Sequence, residues 1–202
     1  MIDAVVDLSH YQPSVDFIAL QKAGIAGVIL KATQGTQGVD SAYARRRDLL
    51  TPAVGLLRGA YHFGIGGNGG GQAHHFLDTA CHGPGDLLAL DVERNPSGAS
   101  MSLADAEAFV AAVFVATGRY PVLYGGADYL GQLGVTAASL LARCPIWWAA
   151  YHDPDKGSPK IPQPWGKWAL WQYTDRGAVA GLTVDRSLFA GDLAGLSAWW
   201  GR

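Results

Sequence analysis

Apolar positions along this chain come in short bursts, and the bursts alternate between two periods. Residues 4–9, 27–33 and 54–63 are compact apolar runs rich in Val, Ile, Leu and aromatic side chains, the length and content of buried strands. Between them, 16–23 places Phe17, Leu20 and Ala23 at helical spacing. Residues 41–50 predict a second helix, with Arg45, Arg46 and Arg47 on its solvated side. A third helix opens at 71–79 and a strand follows at 87–93. Ser102 then stands three residues before Asp105, a capping-box start for a long helix ending near Gly118. Further strands are predicted at 121–124, 146–151, 168–173 and 183–189. The early strands alternate with helices and the later ones have few between them. Such a pattern predicts an α/β fold: a TIM-like β/α barrel with a reduced number of helices, an open parallel sheet being the alternative. No repeat period is visible. The Pro- and Gly-rich stretch 152–167 reads as a surface loop rather than a linker, so residues 1–202 are expected to form one domain.

Composition narrows the classes. With 49% hydrophobic and 16% charged residues in 202, the chain has the means to bury a core and is no candidate for disorder. A net charge of −2 gives no footprint for nucleic acid and no polybasic patch for a membrane surface. No apolar run is long enough to span a bilayer. Met1-Ile2-Asp3-Ala4 has neither the basic region nor the apolar core of a signal peptide. Two cysteines, Cys81 and Cys144, are too few for a disulfide scaffold; two reduced thiols are expected, one bridge being the alternative. A monomer is expected.

In a β/α barrel the chemistry gathers at the C-terminal ends of the strands, and so do the polar residues here. Asp7 ends the first run, Lys31 and Thr33 the second, and Tyr61 and His62 the third. Tyr124 ends the fifth, Trp148 and Tyr151 the sixth, and Trp171-Gln172-Tyr173 the seventh, while Asp185 lies inside the last. The fourth is the most informative. Leu87-Leu88-Ala89-Leu90 finishes in Asp91-Val92-Glu93. A strand repeats every two residues, so both carboxylates share a face, roughly 6.6–7 Å apart along the backbone. Placing like charges together in an apolar setting is unfavourable, and calls for a cation between them or a reaction that uses them. Four carboxylates ringed by aromatic side chains suggest a sugar site, where acids supply proton transfer and rings stack on pyranose faces.

These segments also carry a resemblance. The chain resembles the glycoside hydrolase family 25 lysozymes, N-acetylmuramidases, in DLSHYQ at 7–12, GVILKATQG at 27–35, GAYHF at 59–63, LALDVE at 88–93, YPVLYGG at 120–126, WWAAYH at 147–152, WALWQYT at 168–174 and VDRSLFAG at 184–191. The resemblance implies a barrel with fewer than eight helices, and hydrolysis of the β-1,4 bond between N-acetylmuramic acid and N-acetylglucosamine in bacterial peptidoglycan, without a cofactor or metal. It implies Glu93 as general acid, with Asp91, Asp7 and Asp185 as the other acids of the site. Glu93, beside Asp91 on an apolar strand, is expected to hold its proton near neutral pH, and Asp91 to stay ionised. Substrate assistance, with Asp91 steering the acetamido group, and inversion, with Asp7 activating water, both stay open, the first being favoured. Tyr61, Tyr124, Trp148, Tyr151 and Trp171 are candidates for stacking or hydroxyl contacts, and Gln12 and His62 for hydrogen bonds. Gln34 stands where family members often carry an acid. The substrate would be the glycan strand of the cell wall, outside the cell or in the periplasm, reached as a phage endolysin, through a specialised secretion route, or as a trimmed secreted enzyme.

Three other readings deserve a test. GIGGNG at 64–69 fits GxGxxG with Asp86 downstream, although Tyr61-His62-Phe63 is a poor end for a buried dinucleotide-binding strand. Asp7, His10 and Asp91 together would suit a metal-dependent polysaccharide deacetylase. A non-catalytic glycan-binding barrel would need no proton-holding carboxyl group.

Overall fold

The structure is a computed structural model, and it describes residues 1–51 and 54–201. Among these described residues, nine strands and five α-helices follow one another as β1 (Ile2–Leu8), α1 (Phe17–Lys22), β2 (Gly27–Gln34), β3 (Gly38–Val39), α2 (Tyr43–Leu49), β4 (Leu57–Phe63), α3 (Gly69–Ala80), β5 (Leu87–Asp91), α4 (Leu103–Thr117), β6 (Val122–Gly126), β7 (Ile146–Ala149), β8 (Leu170–Val179), β9 (Leu182–Phe189) and α5 (Leu193–Trp199). The sheet order is β1-β9-β8-β7-β6-β5-β4-β2-β3, and β1 also pairs with β2. That last pairing closes eight strands into a barrel and excludes the open sheet. β3 only extends β2 as a short hairpin.

The barrel strands run parallel except β9, which is antiparallel to both β8 and β1. Ala180 and Gly181, both with positive φ, make the tight turn that allows the reversal. With β9 reversed, the mouth of the barrel collects the C-terminal ends of the other seven strands and the N-terminal half of β9. Asp7 of β1 faces Asp185 of β9 in register.

Alternation along each strand separates two apolar layers. One packs outside the strands against the helices, with Phe76 of α3 and Phe109 of α4 fully buried. The other fills the barrel, with Val5, Ile29, Leu87, Ala89, Val122 and Leu170 pointing inward. Trp200 closes the base: a Cβ on Gly27 would stand 2.6 Å from its indole, and its Nε1 donates to the Arg58 carbonyl at 2.7 Å. Local signals act as expected at α4, where Ser102 and Asp105 complete the capping box and Gly118 ends the helix with φ 71°.

Some expectations need correction. β3 and α5 were not foreseen: two residues are too short for a pattern, and α5 is only seven residues long with Leu196 alone buried. Arg46 is buried, not solvated; its guanidinium donates to the carbonyls of Ser9 and Gln12 and ties the β1–α1 loop to α2. Both cysteines are free, Cys81 exposed and Cys144 buried. No described helix is long and apolar enough to cross a membrane.

Candidate active site

Asp7, Asp91, Glu93 and Asp185 all line one hollow at the barrel mouth. β1 supplies Asp7, β5 supplies Asp91, the extended residues after β5 supply Glu93, and β9 supplies Asp185. Val92 still donates to the Tyr124 carbonyl at 2.9 Å, so the two-residue alternation persists past the end of β5 and keeps Asp91 and Glu93 on one face. Tyr61, Tyr124 and Tyr151 line the same hollow, as do Trp147 and Gln172.

Gln172 organises the floor. Its Nε2 donates to Asp7 Oδ2 at 2.9 Å, and its Oε1 accepts from the hydroxyls of Tyr124 (2.7 Å) and Tyr151 (2.8 Å). Trp147 donates from Nε1 to Ser187 Oγ at 2.9 Å and meets Tyr124 edge-on at 4.7 Å between ring centroids.

All four acids are pushed toward their protonated forms, first by burial. Asp7 is held well above the carboxylate range; the Asp185 charge adds to burial, and the Gln172 hydrogen bond opposes it. Asp185, opposite Asp7 in the β1–β9 pairing, also rises with burial, and Asp7 offsets part of that rise. Asp91 is also held well above the carboxylate range by burial and then by Glu93, with Lys31 opposing. Its Oδ1 is buried without a hydrogen-bond partner among the described residues. Glu93, half-buried, rises with burial and then with the Asp128 charge, again against Lys31. Burial thus works against the ionised Asp91 expected from the sequence. Asp91 is the deeper of the two acids, and desolvation favours its neutral form. Lys31 is the cation of this cluster. Its Nζ donates to Gln34 Oε1 at 3.0 Å and lies 4.8 Å from the centroid of the Phe63 ring.

Four expected contact residues are not brought to the hollow. Trp148 and Trp171 point outward, because in β7 and β8 it is Trp147 and Gln172 that face the barrel. Trp148 lies in the outer apolar layer, and Trp171 donates to the Ala150 carbonyl at 2.7 Å. His62 is buried between Thr33 Oγ1 (2.7 Å) and Gln72 Oε1 (3.0 Å), beside Phe76 and Phe109, and burial lowers its pKa to about 4. Gln12 accepts from the Ser9 amide at 3.0 Å and stabilises its own turn. Trp147 and Gln172 were missed. Strand parity, counted from a fixed inward acid, would have found both.

The alternatives find little geometry. His10 turns to Asp40 at 2.7 Å rather than to Asp7, and no cluster of three or more His, Cys, Asp or Glu among the described residues is arranged to hold a metal ion. The glycine run at 64–69 packs tightly. A Cβ on Gly69 would stand 1.8 Å from the Asp105 carbonyl oxygen, and the Gly67 amide already donates to Asp105 Oδ2. These glycines let α3 approach α4 and leave no cradle for a pyrophosphate.

Comparison with known proteins agrees with this arrangement. The profile of the glycosyl hydrolases family 25 matches residues 6–182. The chain belongs to that family. It is a glycoside hydrolase, and the barrel with few helices is the family's fold. Lysozyme M1 of Streptomyces globisporus is 30% identical over 96% of this chain and 69% of its own length. The N,O-diacetylmuramidase of a Chalaropsis species is 31% identical, over 87% of this chain and 89% of its own. Among solved structures, the lysozyme of Streptomyces coelicolor superposes with a TM-score of 0.87 at 29% identity, covering 100% of this chain and 99% of that one. A family 25 lysozyme from Aspergillus fumigatus gives 0.84 at 32%, covering 97% of each chain.

Proposed function

We propose that this family 25 enzyme cleaves the β-1,4 bond between N-acetylmuramic acid and N-acetylglucosamine, with Glu93 as general acid and the substrate's own acetamido group as nucleophile. As a member of the family with lysozyme and muramidase relatives along nearly its whole length, the chain is a peptidoglycan-hydrolysing lysozyme. The observation that carries the assignment of Glu93 is its position. It is half-buried on the wall of an open hollow, forms no ion pair among the described residues, and is biased by burial to keep its proton. A carboxylic acid so placed can protonate the glycosidic oxygen as the bond breaks.

Asp91 acts from below. It tends toward neutrality in the free protein, and positive charge developing at the anomeric carbon or on the attacking acetamide favours its ionised form. Its attraction is therefore greater in the transition state than in the ground state, the condition for acceleration. Asp7 is a poor base for activating water: burial and the Asp185 charge drive it toward its protonated form, against the Gln172 hydrogen bond. This favours retention through substrate assistance over inversion. Tyr61, Tyr124, Tyr151 and Trp147 are proposed to hold the sugar, and Gln172 to fix the tyrosines.

The test is mass spectrometry of fragments from purified peptidoglycan, with the first-formed anomer read by NMR. Reducing-end N-acetylmuramic acid in the β configuration is expected. Reducing-end N-acetylglucosamine or free peptides would overturn the bond assignment, and first-formed α anomer would overturn substrate assistance.

A further inference from the structure

Asp128 lies in the loop after β6, apart from the ring of four acids, yet its carboxylate comes back to the cleft. A second hollow opens from Glu93 and is bordered by Gly126, Asp128, Ala149 and Tyr151. The Asp128 side chain folds over the end of β6, so that a Cβ built on Gly126 would stand 3.1 Å from its Oδ1. The adjacent cation does not neutralise it. Arg94 donates from Nη2 to the Asp128 backbone oxygen at 3.2 Å, and its guanidinium sits 5.5 Å from the centroid of the Tyr129 ring. Among the described residues the Asp128 carboxylate forms no ion pair.

We propose that Asp128 is a positioning residue for proton transfer: an unneutralised negative charge at the outer rim of the cleft that keeps Glu93 protonated and thereby sets the highest pH at which the enzyme works. The inference rests on the reading of Glu93 as general acid. Several groups face Glu93. Asp91 stands two residues before it at the end of β5, Asp7 comes from β1, Lys31 from β2, Asp185 from β9, and the phenols of Tyr61, Tyr124 and Tyr151 from β4, β6 and the loop after β7. Lys31 pulls toward the carboxylate form. Asp91 and Asp185 are themselves driven toward neutrality by burial, which dims their charge. Asp128 is exposed and borders the same outer hollow as Glu93, and after burial its charge is what raises Glu93. A charge at the rim acts over a few ångströms through partly screened space, and salt weakens it.

A general acid must be protonated, so activity falls as pH rises through the Glu93 titration. The experiment is the pH profile of kcat/KM on purified peptidoglycan for wild type, Asp128→Asn and Asp128→Glu, at low and high salt, with melting temperatures to confirm folding. Asp128→Asn is expected to move the alkaline limb down by about half a pH unit or more while keeping activity at the acid end. Asp128→Glu is expected to restore the limb. Added salt should move the wild-type limb in the same direction and the Asn variant's much less. An Asn variant whose limb superposes on wild type, or whose activity drops equally at every pH, overturns the proposal. Glu93→Gln, assayed in parallel, separates the failures: if it stays active, the reading of Glu93 falls and Asp128 with it; if it is inactive and Asp128→Asn is unshifted, Asp128 alone loses its role.

Discussion

The two ends of the barrel are built from the same strands and differ in nearly everything else. At the base, Val5, Ile29, Leu87, Val122 and Leu170 meet Leu196 and Trp200 in an apolar plug. At the mouth, two to four residues further along the same strands, the inward positions are Asp7, Lys31, Tyr61, Asp91, Tyr124 and Gln172. Burial stabilises the first set by about 1.5–3 kcal/mol for each large side chain. The same burial works against the second, because every acid there has lost hydration and faces another acid. The base therefore supplies the stability that lets the mouth hold carboxyl groups in a state useful for proton transfer.

The sharpest way to break this division is Glu93→Gln. Activity should fall by about 10²–10⁴-fold, the range for loss of a general acid, while denaturant melts show stability equal to or above wild type. Next comes Trp200→Ala at the base, which should cost about 3–5 kcal/mol in urea unfolding, yet leave kcat near wild type at temperatures where the protein stays folded. If instead Trp200→Ala leaves the protein stable and inactive, the two ends are not separable.

A subtler test uses pH. The folded pKa values of Asp7 and Asp91 lie above their unfolded ones. Their contribution to stability is thus complete below about pH 4 and is lost as pH rises through the folded titrations, by about 1.4 kcal/mol per pH unit for each proton. Stability measured from pH 4 upward should decline less steeply in Asp91→Asn than in wild type; parallel curves would deny that burial sets the acids. The smallest effect expected is that of Gln34→Glu. A carboxylate beside Lys31 Nζ, where the Gln34 oxygen now accepts at 3.0 Å, would offset a cation that draws protons from Asp91 and Glu93. The alkaline limb of activity should rise by a few tenths of a pH unit, opposite in sign to Asp128→Asn.

Much of this was legible in the chain, and the reasons for the rest are physical. The run Leu87–Asp91 announces itself because charge at the end of an apolar strand is costly. The barrel follows from alternating periods, and α4 from its capping box. Inward direction is harder to read. Trp147 and Trp148 are adjacent and both buried, so hydrophobicity cannot tell the barrel interior from the outer layer. His62 looks like a site residue by its place at a strand end, but the shift in β2–β4 register between Lys31 and Thr33 sets Thr33 beside it on the helix side. Asp128 was out of reach of pattern altogether. It sits in a loop, and only the way its side chain folds over Gly126 brings it to Glu93.

The reversed strand β9 also has a consequence for synthesis. Asp7 and Asp185 are far apart in sequence, and the seam between β1 and β9 joins them. A growing chain on the ribosome, or a fragment cut short before this seam, has an unclosed sheet, a solvated Asp7 and half a floor. The hollow that holds the four acids is therefore complete only once β9 has docked between β8 and β1.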